Sequence, residues 1–148
     1  KCYCSVEDLK KEKEAALKKK IPYKYSGKCR NIKEPLSDKF VLRIKVPNTG
    51  LLKLQDRIQG SVIVDYNSLE DFIILRSDNT PTYMLAVVVD DYVMNISDII
   101  RGDDHLTNTF KQIIIYNALE WKVPKFSHIP LIYGPDGSKL SNRIVLIF

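Results

Sequence analysis

The twenty-five residues from Pro81 to His105, PTYMLAVVVDDYVMNISDIIRGDDH, constrain this chain most, because they put charge where packing alone would exclude it. An apolar run ends in Asp90 and Asp91, and the cluster Arg101-Gly102-Asp103-Asp104-His105 follows one short segment later. Pro81 suits the first turn of a helix, where its missing N–H costs nothing. Tyr83, Ala86, Val87, Val89 and Met94 then space roughly as one face of that helix. Ser97 to Arg101 reads as a short buried strand, Gly102 as the residue that lets the chain turn sharply off its end, and Thr107 to Leu119 as a second helix.

A helix, a strand and a charged turn into another helix is how an open α/β sheet presents ligand-binding groups, since its sites lie beyond the carboxyl ends of the strands. On this reading Arg101 stands at the lip of a crevice, with Asp103 to His105 beside it at the start of the next helix. The same pattern also fits an arginine paired with Asp90 or Asp104 on a solvated surface.

With 148 residues, 45% of them hydrophobic, the chain has material for one ordinary domain or two small ones, folded and soluble. No apolar run approaches the roughly 20 residues that a membrane-spanning helix needs. The first residues form no signal peptide. A cytoplasmic protein without a membrane partner is therefore expected. The chain starts on Lys1 rather than Met, which points to a processed or excised piece.

The net charge of +5 is uneven: residues 1–39 hold 12 Lys/Arg against 6 Asp/Glu, and residues 40–148 hold 11 against 12. A positive field confined to one end suits a polyanion partner, although solvated lysine-rich helices give the same count.

The basic end opens with Cys2-Tyr3-Cys4, and Cys29 follows after 24 intervening residues. In a cytosolic protein such spacing suits a metal better than a disulfide, because a C-x-C pair can set two thiolates on one tetrahedral ion. Neither histidine lies near, so Tyr25, four residues before Cys29, is the local candidate for a fourth ligand. Unligated cysteines in a small core are the alternative. Ser5 with Glu7 and Asp8 resembles a capping box, and Val6 to Lys20 is built of good helix formers with a thin apolar face of Leu9, Ala16 and Leu17. That helix belongs on a surface. Lys18, Lys19, Lys20, Lys24, Lys28 and Arg30 flank Tyr23 and Tyr25, a mixture suited to phosphate contact and base stacking, or else a solvated face around a metal knuckle.

From Phe40 the pattern changes to short β-rich segments, Phe40–Val46, Leu51–Leu54, Gly60–Asp65 and Asp71–Arg76, predicting an antiparallel sheet with one wet face. Beyond the central stretch, the second helix turns Ile113, Ile114, Tyr116 and Leu119 inward, Phe126 to Tyr133 reads as a buried strand, and Gly134 to Gly137 as a tight turn. The loop Ser138 to Arg143 then offers Lys139 and Arg143 as cations for a polyphosphate.

Taken together, PTYMLAVVVDDYVMNISDIIRGDDHLTNTFKQ resembles the core of the glutamyl-tRNA synthetase family of class I aminoacyl-tRNA synthetases. Lys139-Leu140-Ser141-Asn142-Arg143 is similar to that family's KLSKR signature, and Phe72 to Asp78 to the strand before PTY. The similarity runs from Cys2 to about Arg143. It implies an α/β fold: an acceptor-binding insertion of α+β type at about 1–78, and the second half of a Rossmann-type nucleotide-binding fold at about 79–148. It implies glutamate–tRNA ligase chemistry, in which ATP with Mg2+ activates glutamate as an adenylate that is passed to the 3′ end of tRNA(Glu). Such a displacement needs no protein nucleophile, only positioning and charge stabilisation.

By the same resemblance, Arg101 pairs in bidentate fashion with the side-chain carboxylate of glutamate, Tyr83 donates to glutamate, and Val87 sits nearby. Asp104 and His105 lie near the ribose and adenine, Ile132 on the adenine face, and Lys139, Asn142 and Arg143 along the phosphates. Cys2, Cys4, Tyr25 and Cys29 match a structural Zn2+ knuckle found in some members, and residues 1–78 would grip the tRNA acceptor end.

The sequence departs from the family in three ways. The HIGH signature is absent from these 148 residues, Asn142 replaces the second lysine of KLSKR, and the chain runs into Ile144-Val145-Leu146-Ile147-Phe148. These departures lead to the expectation of a truncated or decayed chain that is inactive alone, with the missing N-terminal half of the enzyme as one candidate partner. Two other readings stand beside it: a glutamyl-queuosine tRNA(Asp) synthetase, and a non-catalytic tRNA-binding remnant using residues 10–33.

Overall fold

The computed structural model describes residues 1–134 and 137. The loop and signature residues Lys139, Asn142 and Arg143, with the apolar end, lie outside the described residues.

Helix α1 (Val6–Lys18) starts on the expected capping box: the Ser5 hydroxyl accepts from the Asp8 N–H at 3.0 Å, and the Asp8 carboxylate accepts from the Ser5 N–H at 3.1 Å. It buries none of its residues, and Leu17 is exposed. Because no core holds this helix, its start depends on the cap. Ser5→Ala is expected to cost about 1 kcal/mol of local helix stability, read as faster amide exchange across α1; unchanged exchange would contradict the cap's role.

The β-rich region forms two antiparallel pairs rather than one sheet. Strand β1 (Leu42–Arg43) pairs with β4 (Ile73–Leu75), and β2 (Leu51–Asp56) with β3 (Gly60–Asp65) in an unbroken register from Leu51↔Asp65 to Asp56↔Gly60. Burial alternates along β2, so that Leu52, Leu54 and Asp56 all point inward. Gly60, at φ +76°, closes the hairpin in a backbone region that glycine adopts without strain. The Asp56 carboxylate accepts from the Ile58 and Gln59 amides, both at 2.9 Å, and so shapes the turn.

The second part is a right-sized βαβ unit. Helix α2 (Tyr83–Val93) leads to β5 (Asp98–Gly102), a short 3-10 turn at Asp103–His105, α3 (Leu106–Ala118) and β6 (Lys125–Ile129). Strands β5 and β6 are parallel, in register from Asp98↔Lys125 to Gly102↔Ile129. The fold is thus α/β with an antiparallel part before it, as the sequence predicts.

Several expected faces differ. On α2 the fully buried residue is Val88, with Met84, Leu85 and Val87 partly covered, while Tyr83 and Met94 are exposed. The helix is apolar nearly all round, so its spacing does not single out one face. Leu119 lies just past α3 and is exposed rather than inward. Strand β6 ends at Ile129, and Ile132 and Tyr133 are exposed.

One apolar cluster joins both parts. Ile44, Val46, Leu52, Leu54, Leu69 and Phe72 pack in the same core as Val88, Phe110, Ile113 to Tyr116 and Phe126. The hairpin tip also clasps β6: the Arg57 amide donates to the Phe126 carbonyl at 3.0 Å and the Gln59 side chain to the His128 carbonyl at 3.1 Å. Among the described residues no helix is long and apolar enough to cross a membrane.

Candidate functional site

Arg101 stands at the carboxyl end of β5, the end at which parallel sheets present their sites. Its guanidinium is half-buried and faces neutral acceptors rather than the carboxylates of a surface pair. Nε donates to His128 Nε2 at 3.3 Å, and Nη2 donates to Thr109 Oγ1 and, at 2.7 Å, to Gln112 Oε1. Three of the five N–H donors of an arginine are therefore directed inward. Among the described residues Nη1 has no hydrogen-bond partner, and it carries the remaining two donors. Burial pushes the Arg101 pKa down, opposed by the nearby Tyr83 and Asp91.

Behind Arg101 lies a buried histidine–aspartate pair that sequence reasoning missed. His128 and Asp56 are both fully buried, with His128 Nδ1 2.6 Å from Asp56 Oδ2. The Asp56 Oδ1 accepts three backbone amides, from Ile58, Gln59 and His128. Burial alone would raise the Asp56 pKa, but the hydrogen bonds from the Gln59 amide, the His128 ring and the Ile58 and His128 amides hold it down at about 2. The carboxylate is therefore ionised. One signal was legible: Asp56 falls on the inward parity of β2 with Leu52 and Leu54, and an inward carboxylate requires a partner.

The other predicted site residues sit around this end of the sheet. Tyr83 is exposed in the first turn of α2, and Val87 follows one turn later, partly buried. Asp104 and His105 occupy the 3-10 turn after β5, with 3.9 Å between the Asp104 carboxylate and the His105 ring, and Asn108 lies 3.3 Å from His105 Nδ1. Ile132 is 70% exposed, which leaves its apolar surface open to a flat ring. Gly102 has ordinary extended backbone, φ −66°, so conformational freedom is not its reason. A Cβ there would come within 2.6 Å of the Asp104 carboxylate and 3.1 Å of Leu131, so a side chain at this position would displace the Asp104 carboxylate.

At the other end of the molecule Cys2, Cys4, Cys29 and Tyr25 converge. The three sulfurs lie within 4.8 Å of one another, with 3.6 Å between Cys4 and Cys29. The Tyr25 hydroxyl is 3.3 Å from the Cys2 sulfur and 3.7 Å from that of Cys4, and it accepts from the Cys29 amide at 3.1 Å. Four sulfur or oxygen ligands at about 2.3 Å from a tetrahedral ion stand roughly 3.8 Å apart. The donor set and its spacing fit that geometry. Burial pushes the Cys4 thiol up to about 12, whereas hydrogen bonds from Tyr25, the Cys4 backbone and Arg43 outweigh burial and bring Cys2 down to about 7. Burial, then the Cys2 sulfur, pushes the Tyr25 phenol up. Arg43 lies over the Tyr25 ring, 3.7 Å from its centroid, and adds positive charge beside the cluster.

Comparison with known proteins shows the family of the chain. The family model described as "tRNA synthetases class I (E and Q), catalytic domain" matches residues 1–148. Glutamate–tRNA ligase 1 of Ehrlichia canis is 54% identical over 143 residues, 96% of this chain and 30% of that protein. The glutamate–tRNA ligase of Aquifex aeolicus is 48% identical over 149 residues, 96% of this chain and 32% of that protein. A crystal structure of a glutamate tRNA ligase from Elizabethkingia meningosepticum in complex with its amino acid superposes with a TM-score of 0.85 at 29% identity, covering 96% of this chain and 31% of that one. The chain thus spans about a third of the length of the relatives it matches. With the matching core motifs, the βαβ unit and the family match over its whole length, the chain belongs to the class I tRNA synthetases of the E and Q type.

Proposed function

We propose that this chain supplies the glutamate-binding and part of the ATP-binding surface of a glutamate–tRNA ligase, together with its contact to the tRNA acceptor end. The observation that carries the reading is Arg101: it is braced on two sides at the carboxyl end of β5, yet its Nη1 donors meet no hydrogen-bond partner among the described residues. A carboxylate is the ligand such a braced cation suits best. Glutamate meets Arg101 through Nη1, with the Tyr83 hydroxyl as a second donor and Val87 shaping the pocket wall.

In the reaction, the α-carboxylate of glutamate attacks the α-phosphate of ATP and pyrophosphate leaves. A hydroxyl of the terminal tRNA ribose then attacks the acyl carbon of the adenylate, forming the ester and losing its proton as the anhydride bond breaks and AMP leaves. Asp104 and His105 hold the ribose and adenine, Ile132 covers the adenine face, and the Lys139-to-Arg143 signature contacts the phosphates with Mg2+. Residues 1–78 form the acceptor-binding part, with the exposed Lys24 and Lys28 toward the phosphate backbone while Arg30 is held inward by Asp71 and the Val46 carbonyl, and residues 79–148 the nucleotide-binding part. Titrating glutamate and glutamine into the chain tests the reading: the Arg101 side-chain resonance is expected to respond to glutamate and not to glutamine, and an equal response would overturn it.

The sulfur cluster holds one structural Zn2+ through Cys2, Cys4, Cys29 and Tyr25. Bound there, the ion would tie the N-terminal C-x-C to the Tyr25–Cys29 turn and would displace the protons that burial keeps on Cys4 and Tyr25. Purified chain is expected to carry one zinc per molecule by elemental analysis, and Cys4→Ser to lose it with loosening of residues 1–30. Zinc-free wild-type chain with an unchanged fold after zinc addition would contradict the assignment.

A further inference from the structure

We infer that Asp56 and His128 are positioning residues for Arg101: Asp56 fixes the tautomer of His128, and His128 in turn supplies the acceptor that aims the guanidinium. The chain of contacts runs from the β2 hairpin through β6 to β5. Asp56 Oδ2 is 2.6 Å from His128 Nδ1, and His128 Nε2 accepts Arg101 Nε–H at 3.3 Å while lying 2.8 Å from Thr109 Oγ1. An arginine has donors only. The ring nitrogen that faces it must therefore present a lone pair, and the ring proton must sit on Nδ1. An ionised Asp56 enforces that arrangement, since a carboxylate only accepts.

The Asp56 carboxylate is itself held without freedom. Three amides, those of Ile58, Gln59 and His128, converge on Oδ1 and leave Oδ2 to the imidazole. Two of these amides belong to the hairpin turn that Asp56 shapes and the third to β6, so the carboxylate's orientation follows from the backbone. Arg101, Thr109 and Gln112 complete the set on β5 and α3. With Nε and Nη2 fixed in this way, Nη1, which has no hydrogen-bond partner among the described residues, has one direction in which to point.

The same geometry dictates what Asp56→Asn does. Its Oδ1 stays on the three amides, so its NH2 group must face His128 Nδ1. A donor there requires Nδ1 to be unprotonated, and the ring proton moves to Nε2. An Nε2–H is satisfied by Thr109 Oγ1 but repels the Arg101 Nε–H, so Arg101 loses its acceptor although shape and volume are kept. The reversal of a histidine tautomer by an aspartate-to-asparagine change has precedent in the serine protease triad.

The test uses the 148-residue chain labelled with nitrogen-15 at histidine and arginine side chains; its only two histidines are His105 and His128. In the wild type, the His128 resonances should show a protonated Nδ1 and an unprotonated Nε2. Asp56→Asn should exchange the two and shift the Arg101 Nε–H signal. A wild-type ring protonated on Nε2, alone or with Nδ1, overturns the inference without recourse to any variant. So does an unmoved Arg101 signal in a folded Asp56→Asn chain with the exchanged tautomer. Glutamate titration supplies the functional readout and rests on the proposed role of Arg101. Asp56→Asn should weaken the Arg101 response by about 10- to 100-fold, the loss expected of one hydrogen bond to a charged group. If the wild type gives no glutamate response while the tautomer behaves as stated, the glutamate reading fails and the positioning role stands.

Discussion

Arg101→Ala, placed in the Ehrlichia canis ligase whose matching segment is replaced by this chain, is expected to raise the KM for glutamate by about 10²-fold or more. Truncating one partner of a desolvated, hydrogen-bonded charge pair costs about 2–5 kcal/mol. Part of that loss is the substrate carboxylate left without its cation. The remainder is internal, because His128 Nε2 and Gln112 Oε1 lose their donor. Arg101→Lys separates the two: a lysine restores the charge but has no planar fork with which to meet His128, Gln112 and a ligand at once. Its KM is expected to fall between those of the parent and the alanine variant, with a smaller change in kcat. A glutamate KM indifferent to both substitutions in folded protein would remove Arg101 from the substrate site.

The second large effect is a gain. Asn142 stands where the KLSKR signature that this segment resembles has its second lysine, so that, with the segment in the proposed phosphate-binding role, this chain would offer one cation fewer to the triphosphate. Charge that develops on the leaving pyrophosphate is stabilised most by donors already in position, and one such contact is worth roughly 10²–10³ in rate. Asn142→Lys in the same chimaera is accordingly expected to accelerate ATP–pyrophosphate exchange by about that factor, mainly through kcat. An unchanged rate would mean that Lys139 and Arg143 already suffice or that another group supplies the charge, and the cost assigned to Asn142 would be withdrawn.

Much of the fold was legible because its signals are local. The capping box at Ser5 and Asp8 sets the start of α1, the alternation of β2 marks its inward side, and the strand–turn–helix at Arg101 to Leu106 forms the βαβ unit. The buried face of α2 was not legible, because a segment such as Tyr83–Val93 is apolar on every side and only its neighbours on α3 and β4 select Val88. The antiparallel region was assigned the right strands but as a single sheet, since pairing β1 with β4 across the β2–β3 hairpin is a long-range choice that alternation does not encode.

The site divided in the same way. Arg101 and the cysteine set stood out by residue type and spacing. The Asp56–His128 pair did not, because its members lie 72 positions apart and each alone looks ordinary: a hairpin aspartate and a histidine on an apolar strand. The sharp turn expected at Gly102 is not what its backbone shows: φ is an ordinary −66°, and what a side chain there would disturb is the Asp104 carboxylate.

Glutamate-dependent ATP–pyrophosphate exchange in the presence of tRNA, by the chimaeric ligase carrying these residues, is the measurement that tests the central claim. The account predicts exchange with glutamate and not with glutamine, slower than the parent ligase, restored by Asn142→Lys and lost with Arg101→Ala. A folded chimaera with no glutamate-dependent exchange even as Asn142→Lys, or one that uses glutamine equally well, would contradict it.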